Sequence, residues 1–303
     1  MKKVIFILSV GHSGSTLLDI SLGQFKNTFS TGELKHLTWQ YYRKIENIDS
    51  VQKCTCGEYF DNCIVWSNVI NDLAKYRKVE IKKTPELVPI KHFDSLSYFT
   101  DFKKDKIIRY IYKWNLFYKI IPQKLFSNYL KKSNANNKVI YDSIFSHNPM
   151  IEYIIDSSKD IIRFNELRKK IDVFPVILIR DINEVMKSKW VKESKGKVIG
   201  WQNYYNKHIL SIIKHMNDKD FHIISYERFI DNSLKSIEEL STKLNIDAAE
   251  FRTDIPMNDY HIVAGNGMRY TDVVNIKKRE ININDLKISL SNSGLDTFFI
   301  DRI

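Results

Sequence analysis

The chain has 303 residues, of which 43% are hydrophobic and 13% aromatic, enough apolar material to bury a sizeable core. This composition excludes a disordered protein, and no apolar run approaches the roughly 18 residues that span a bilayer. We expect a soluble, cytoplasmic protein with a single domain over residues 1–303, although two small domains would also fit this length. The net charge of +11 indicates anionic partners such as a nucleotide, an acidic glycan, a membrane surface or a nucleic acid, unless the surplus lysines are solvated surface.

The N-terminal stretch has the pattern of a strand, a turn and a helix. Val4–Val10 is an apolar run of β-formers, and an apolar helical run ends near Gln24. Between them, Gly11 and Gly14 let the backbone approach a ligand closely, while turn amides, hydroxyls and the helix dipole favour an anion. The pattern predicts a P-loop-like phosphate-binding turn. Its residues are Gly11, His12, Ser13, Gly14, Ser15 and Thr16.

Other interpretations of this stretch are weaker. Met1–Lys3 followed by apolar residues can open a signal peptide, but the run is at the short end of the usual range and no small-residue cleavage site follows. A Walker A loop for ATP needs four residues between its glycines and then Gly-Lys-Ser/Thr. Only two residues separate Gly11 from Gly14, and no lysine precedes Ser15. A β-turn-α unit without a ligand is disfavoured by the density of glycines and hydroxyls.

After the first helix the sequence predicts a second strand over Thr28–Ser30 and a helix that begins at Thr31–Leu34. Residues 46–64 read as a loop. The sequence of residues 64–132 has helical periodicity and is rich in aromatic residues and lysine. This pattern indicates an inserted helical layer over the sheet. Ser133–Lys138, SNANNK, is predicted as a polar loop.

From Glu152 onwards, strand patterns alternate with helix patterns. This rhythm predicts an α/β fold with a mainly parallel sheet flanked by helices, whose ligand site lies at the carboxyl ends of the strands. The text after Pro256 is loop-rich. The predicted strands are Glu152–Ile155, Phe174–Ile179 and Phe221–Ser225, and the predicted helices include 182–193, 201–216, 233–244 and 285–290.

The three cysteines, Cys54, Cys56 and Cys63, cannot all pair within one chain. The pattern Cys-x-Cys-x6-Cys can bind zinc, but no fourth ligand is evident nearby and the spacing is irregular. A reduced, buried cysteine cluster is therefore favoured and no metal site is predicted. A disulfide remains open under oxidising conditions.

Polar groups follow the predicted strands. Arg180 ends a buried strand and Ser188 lies on the next helix, and a guanidinium with a hydroxyl suits a phosphate monoester. The alternative is a surface arginine paired with Asp181 or Glu184. A late glycine loop, Gly265–Arg269, can wrap a phosphate with its backbone amides.

The strand ending at Asp156 allows two interpretations, because a carboxylate at that position can mimic a Walker B residue. Arg163, one turn further on, can hold a phosphate or pair with Asp160, and the ion pair is favoured.

Taken in order, these motifs resemble those of sulfotransferases that use 3′-phosphoadenosine 5′-phosphosulfate (PAPS), in particular bacterial carbohydrate-type and tyrosylprotein-type members. The first turn is similar to their 5′-phosphosulfate loop, approximately G-R-S-G-S-T-L-L, with His12 where the family often has Arg or Lys. Arg180 and Ser188 resemble the 3′-phosphate motif, and Lys159 ends a segment similar to Asp-Ser-Ser-Lys. The resemblance leaves the helical insertion uncovered and extends over Val4–Leu34, the cysteine segment, Asp156–Ser188 and Tyr226–Arg269.

Three further elements belong to the resemblance. Tyr226 resembles the tyrosine of a Tyr-Glu-x-Leu/Phe element that touches the nucleotide; the alternative is a packed tyrosine beside a solvent-facing Glu227. Gly265, Asn266 and Arg269 resemble a late Gly-Asn-x-x-Arg loop. The cysteine segment is similar to a Cys-x-Cys-Gly…Cys-x-x-Trp segment of many bacterial members, which implies a structural role.

The resemblance implies in-line transfer of a sulfuryl group from PAPS to an acceptor hydroxyl or amine, with the desulfated nucleotide PAP as product and no metal required. Glu33 would be the catalytic base, Lys159 would stabilise charge on the bridging oxygen, and His12 would assist. A helix-capping carboxylate is the alternative for Glu33. The implied cofactor-binding residues are Gly11, His12, Ser13, Gly14, Ser15, Thr16, Arg180, Ser188, Tyr226, Gly265, Asn266 and Arg269.

The acceptor stays open among glycan, lipid-linked sugar, peptide tyrosine and small metabolite, and the motifs favour a bacterial enzyme acting on a carbohydrate or small hydroxylated molecule. Two other functions remain. One is an ATP-dependent small-molecule kinase on the same strand, turn and helix. The other is a non-catalytic polyanion-binding or nucleic-acid-binding protein, which the positive charge suggests although no helix-turn-helix, zinc-finger or RNA-recognition motif is present.

Overall fold

The computed structural model describes residues 2–37, 40–41, 53–78, 127–187, 197–248 and 250–303. The predicted helical insertion over residues 64–132 falls largely outside this part of the chain. Ser188 and the predicted end of its helix, at Glu193, lie outside it as well.

The centre of the fold is a five-stranded, fully parallel sheet with strand order β2-β3-β1-β4-β5. This arrangement confirms the α/β fold with a mainly parallel sheet. β1 and β4 occupy the middle, and their continuous apolar runs are typical of strands covered on both faces. The strands are β1 (Lys3–Leu8), β2 (Thr28–Ser30), β3 (Tyr153–Asp156), β4 (Val173–Ile179) and β5 (His222–Ser225).

Helices cover both faces of the sheet. Within β1, Phe6 packs into the hydrophobic cluster on one face, while Ile5 and Ile7 pack into the cluster on the other, as the alternation along a strand requires. The helices are α1 (Ser15–Leu22), α2 (Ile64–Arg77), α3 (Ser127–His147), α4 (Ile161–Leu167), α5 (Ile182–Met186), α6 (Lys197–Gln202), α7 (Leu210–Ile213), α8 (Tyr226–Asp231), α9 (Ser233–Leu244), α10 (Ile283–Asn292) and α11 (Thr297–Ile300).

α9 shows how the sequence specifies these helices. The side chain of Asn232 accepts a hydrogen bond from the amide of Lys235 and caps the helix. Ile237 and Leu240 are buried on one face, as an amphipathic helix requires. The helix ends at Asn245, which takes the left-handed conformation with φ 56°.

The strand order places a crevice at the carboxyl ends of β1 and β4. After β1 the chain runs to the β2–β3 side of the sheet, and after β4 it runs to β5 on the other side. The connections therefore diverge between these two neighbouring strands, and the carboxyl ends of such strands are where open α/β sheets bind ligands.

The predicted polar loop at Ser133–Lys138 is wrong, because these residues lie inside α3. Asn136 and Asn137 are buried in that helix and accept hydrogen bonds from Arg77, at 3.4 Å, and from Arg163, at 2.6 Å. Tertiary partners therefore satisfy amides that locally favour a turn.

Three other segments differ in detail from the structure that the sequence predicts. The helix predicted to begin at Thr31–Leu34 opens with a 3-10 turn over Leu34–His36, after Gly32 forms a β-bridge with Ala264, and Leu37, Gln40 and Tyr41 are helical beyond it. The helix predicted from Trp201 contains a π-helical turn over Asn203–Ile209. The C-terminal region that is predicted to be loop-rich includes two antiparallel strands, β6 (Asp254–Pro256) and β7 (Val273–Asn275).

Asp19, on α1, is a buried carboxyl group beside the ends of β2 and β3. Its side chain accepts a hydrogen bond from Ser30. Burial raises the pKa of Asp19 to about 7, although the hydrogen bonds with Ser157 and Ser30 act in the opposite direction. Between the pKa of 3.8 in an unfolded chain and about 7 in the folded protein, only the folded state keeps the proton. The contribution of Asp19 to stability therefore falls as the pH rises through this range and is constant above it.

We expect Asp19→Asn, which has no proton to lose, to become more stable relative to the wild type as the pH rises from 5 to about 7. Thermal unfolding of both proteins at several pH values measures this difference, with the exposed Asp301→Asn as a control that should give a constant offset. A difference between Asp19→Asn and wild type that does not depend on pH would contradict the assignment.

Candidate active site

A cavity of about 1110 Å³ lies at the carboxyl ends of β1 and β4, at the upper end of the range for ligand pockets. Most of the residues predicted for the site line it. They are Gly11, His12, Gly14, Ser15, Thr16, Glu33, Lys159, Arg180, Tyr226, Gly265 and Asn266. Two predicted residues in the described part of the chain, Ser13 and Arg269, do not line it. Ser188 lies outside the described residues.

The turn after β1 presents the open N-terminus of α1 to the cavity. Gly14 caps α1 in the left-handed conformation, with φ 91°, and no side chain caps the first-turn amides. Such amides have no partner within the helix, and together with the dipole they favour an anion. His12 is also left-handed, at φ 63°, which is uncommon for a residue with a side chain.

Two serine hydroxyls beside this turn are buried without a hydrogen-bond partner. They are Oγ of Ser9, which lines the cavity, and Oγ of Ser13. Unsatisfied buried polar atoms are rare in folded proteins and are found where a ligand or water completes the structure.

Arg180 and Tyr226 form a stacked pair against the turn. The guanidinium carbon of Arg180 lies 4.3 Å from the centre of the Tyr226 ring, and Nη1 donates to the carbonyl of His12 at 3.0 Å. Nε of Arg180 is buried and has no hydrogen-bond partner. The guanidinium is therefore fixed at the cavity wall by backbone and ring contacts.

The carboxylates near Arg180 are engaged with other groups. Asp181 accepts from the amide of Asn183 and the hydroxyl of Ser289. Glu184 pairs with Lys187 and with Arg279, at 2.7 and 3.5 Å. Glu227 is buried, not solvent-facing, and accepts from the amide of Asp181 at 3.0 Å.

Lys159 and Glu33 form an ion pair at the wall of the cavity. Nζ of Lys159 lies 2.6 Å from Oε1 of Glu33 and 3.2 Å from Oγ of Ser15, at the start of α1. The backbone of Lys159 is left-handed, with φ 61°, and its carbonyl accepts from the hydroxyl of Tyr204 at 2.8 Å. A strained backbone that persists because its neighbours hold it is typical of functional sites.

Glu33 is surrounded by basic side chains. Besides Lys159, Nζ of Lys35 and Nε2 of His36 each lie 3.4 Å from its Oε2. Burial by itself raises the pKa of Glu33, but the hydrogen bond with His36 and the charge of Lys159 outweigh burial and hold the pKa well below its usual range. Glu33 makes no side-chain capping hydrogen bond to the following turn, as the helix-capping alternative would require.

The late glycine loop, Gly265–Arg269, lies beside the Gly11–Thr16 turn, but the side chain of Arg269 is not in the cavity. The amide of Asn266 donates to Oγ1 of Thr16 at 3.0 Å. The guanidinium of Arg269 is buried and donates to the carbonyls of Ile262 and Val263 at 2.9 and 3.0 Å. Arg269 therefore holds the base of the loop, and the cavity receives the loop backbone and not the guanidinium.

Asp156 and Arg163 lie outside the cavity. Both are fully buried, and the carboxylate of Asp156 accepts from the hydroxyl of Tyr141 at 2.5 Å and faces Nε of Arg163 at 3.4 Å. The guanidinium of Arg163 therefore pairs with the strand-end carboxylate and with Asn137. Asp160, its expected partner, accepts a hydrogen bond from the backbone amide of Arg163 at 3.2 Å.

The sequence motifs missed several residues that line the cavity, among them Ser9, Lys35, Lys187 and Tyr204. Lys35 follows Glu33 by two positions, and its Nζ donates to the carbonyl of Ser158 at 2.7 Å. The one available signal was a lysine two positions after a candidate base, at the start of a predicted helix. Tyr204 comes from the π-helical turn, whose position no local pattern indicates.

Among solved structures, the chain is similar to a sulfotransferase domain from the curacin biosynthetic pathway, with a TM-score of 0.48 at 13% identity over 98% of this chain and 99% of that one. It is also similar to a sulfotransferase domain from the olefin synthase of Synechococcus PCC 7002, with 0.48 at 14% over 96% and 94%. A sulfotransferase from Mycobacterium avium gives 0.44 at 13% over 96% and 76%. No family model and no curated protein matches the chain.

The function proposed below is drawn from the residues of the cavity. Within the described residues, no helix is long and apolar enough to cross a membrane.

We expect Gly14→Ala to destabilise the protein, because a Cβ there would lie 2.2 Å from the ring of Tyr226. Gly57→Ala is a matched control, since Gly57 also has positive φ, 85°, but faces open space. Both substitutions cost about 1–2 kcal/mol of backbone strain, and only Gly14→Ala adds about 1–3 kcal/mol of overpacking. Urea unfolding measures both, and equal losses would contradict the contact with Tyr226.

Proposed function

We propose that the chain is a PAPS-dependent sulfotransferase that transfers a sulfuryl group to a hydroxyl or amine of an acceptor. The observation that carries this proposal is the contact among Lys159, Glu33 and Ser15 at the open N-terminus of α1. A cation and a carboxylate thereby meet at an anion-binding turn. Transfer from an anionic donor to a hydroxyl needs these two groups at the reacting centre.

The donor would bind by its two anionic ends. The amides of the Gly11–Thr16 turn, at the uncapped N-terminus of α1, and the unpartnered hydroxyl of Ser9 suit the 5′-phosphosulfate. The guanidinium of Arg180, which lines the cavity, suits the 3′-phosphate. Ser188 is proposed to share this phosphate, and Tyr226 to hold the guanidinium in position.

In the proposed reaction the acceptor oxygen attacks sulfur, a new S–O bond forms, and the bond between sulfur and the bridging oxygen of the donor breaks. The leaving group is PAP. The acceptor proton passes to the carboxylate of Glu33, and Lys159 neutralises the charge that develops on the bridging oxygen. Positioning and electrostatic stabilisation supply most of the rate in group transfers of this kind.

The position of Lys159 between Ser15 and Glu33 gives donor binding a second effect. While paired with Lys159, Glu33 has a pKa well below its usual range and is a weak base. A phosphosulfate at Ser15 offers Lys159 a competing anion, so the pKa of Glu33 rises as the ammonium moves. The base is thereby activated when the donor is in place.

The kinase alternative receives less support from the cavity. Its candidate metal-binding carboxylate, Asp156, is buried among Tyr141 and Arg163, outside the cavity. A non-catalytic polyanion-binding protein would have no need for a carboxylate at the anion-binding turn, where Glu33 opposes the charge of the ligand. The proposed acceptor class is a carbohydrate or a small hydroxylated molecule.

We expect Arg180→Ala to weaken the binding of PAP about 10- to 100-fold, because a hydrogen bond to a charged group contributes about 1.5–3 kcal/mol. The binding of AMP, which has no 3′-phosphate, should change little. Calorimetric titration of both nucleotides gives the ratio, and Arg279→Ala, which removes an exposed arginine paired with Glu184, serves as control. Equal weakening of PAP and AMP would remove Arg180 from the 3′-phosphate site.

We expect Glu33→Gln to lower turnover about 10²- to 10⁴-fold, the usual contribution of a general base, with PAP binding kept or tightened because Lys159 loses its competing partner. Release of PAP from PAPS with a panel of sugars and phenols measures turnover. The exposed Glu238→Gln is the control and should match the wild type. Unchanged turnover in Glu33→Gln, or a loss fully explained by weaker PAP binding, would refute the base.

A further inference from the structure

A second cluster of reactive side chains lies away from the cavity. Cys54, Cys56 and Cys63 come together with His261, and their four ligand atoms all lie within 4.8 Å of one another. Nδ1 of His261 is 3.3 Å from Sγ of Cys63 and 3.8 Å from Sγ of Cys54. None of these residues lines the cavity.

The two separations between His261 and the cysteines suit a tetrahedral metal site. With Zn–S of about 2.3 Å and Zn–N of about 2.0–2.1 Å, tetrahedral geometry places sulfur and nitrogen ligands about 3.6 Å apart. The two measured distances lie on either side of that value. Thiolates and imidazole are also the ligands that Zn²⁺ prefers.

We propose that Cys54, Cys56, Cys63 and His261 bind one structural Zn²⁺. Four protein ligands leave no open position, and such closed sites are structural and not catalytic. The site is independent of the proposed sulfuryl transfer. The sequence pattern gave only three ligands because His261 follows Cys63 by 198 positions.

Hydrogen bonds around the cluster show what the metal would join. The carbonyl of His261 accepts from Nε1 of Trp66 in α2, at 2.8 Å. Thr55, between the first two cysteines, accepts at Oγ1 from the amide of Ile262 at 3.0 Å. The metal would therefore fasten the cysteine loop and the start of α2 to the strand-like segment around His261.

The same segment continues to the cavity. The carbonyl of Ala264 accepts from the amide of Glu33 at 2.9 Å, and the next residues are Gly265 and Asn266 of the late loop. Ala264, the backbone partner of Glu33, thus lies three positions after the proposed metal ligand His261. Zinc would therefore stabilise the segment that holds the backbone of Glu33 and leads into the late loop, without contacting a substrate.

The first test is the metal content of the protein, prepared without a polyhistidine tag and under reducing conditions. We expect inductively coupled plasma mass spectrometry to find about one zinc per chain in the wild type. His261→Asn and Cys63→Ser should lose it, and the exposed His215→Asn should retain it. Zinc kept at full content by both ligand variants would overturn the proposal.

A second measurement covers the case in which the ligand variants fail to fold. Wild-type protein stripped with a chelator should bind one Co²⁺ and show the intense visible absorption of a tetrahedral thiolate site, and zinc should displace it. A chelator should also lower the Tm, and added zinc, but not magnesium, should restore it. Absent cobalt absorption, or a disulfide and one free thiol found on titration of the denatured chain, would refute the zinc site.

Discussion

The ion pair between Lys159 and Glu33 is the contact around which the active site is arranged. The side chains are 14% and 17% exposed and their charged atoms are 2.6 Å apart, so each charge depends on the other for its stability. Removing one partner of such a pair leaves the other poorly solvated. Neighbouring residues hold Lys159 in place. Its backbone takes the strained left-handed conformation, and its carbonyl accepts a hydrogen bond from Tyr204. In the proposed reaction, an anionic donor replaces Glu33 as the partner of the lysine.

The fold brings the two charges together from distant parts of the chain. Glu33 follows β2, Lys159 follows β3 and Ser15 follows β1, and these three strands are neighbours in one parallel sheet. Their carboxyl ends share an edge, so residues 126 positions apart in the sequence come into hydrogen-bond contact. Arg180 enters from β4 on the other side of β1, where the chain connections diverge. The parallel sheet thus fixes both the contact between Lys159 and Glu33 and the position of Arg180.

The sequence predicted what local patterns determine and missed what distant contacts determine. The apolar runs of β1 and β4 and the capped, amphipathic α9 were predictable because burial and capping are encoded within a few residues. The helix at Ser133–Lys138 was missed because its asparagines have partners on other helices. Arg269 was assigned to the ligand by motif, although a buried guanidinium beside free carbonyls stabilises the loop itself. His261 completes a metal-ligand set that no spacing rule connects with the cysteines.

The central claim is that the cavity binds a nucleotide with phosphate at both the 3′ and 5′ positions. Thermal unfolding of the wild-type protein with PAP, with AMP and with ATP–magnesium, each at the same concentration, tests this most directly, because a ligand that binds the native state raises the Tm by mass action. A large rise with PAP and small rises with the other two are expected for a PAPS-dependent sulfotransferase. A rise with ATP–magnesium and none with PAP would contradict the sulfotransferase and favour the kinase.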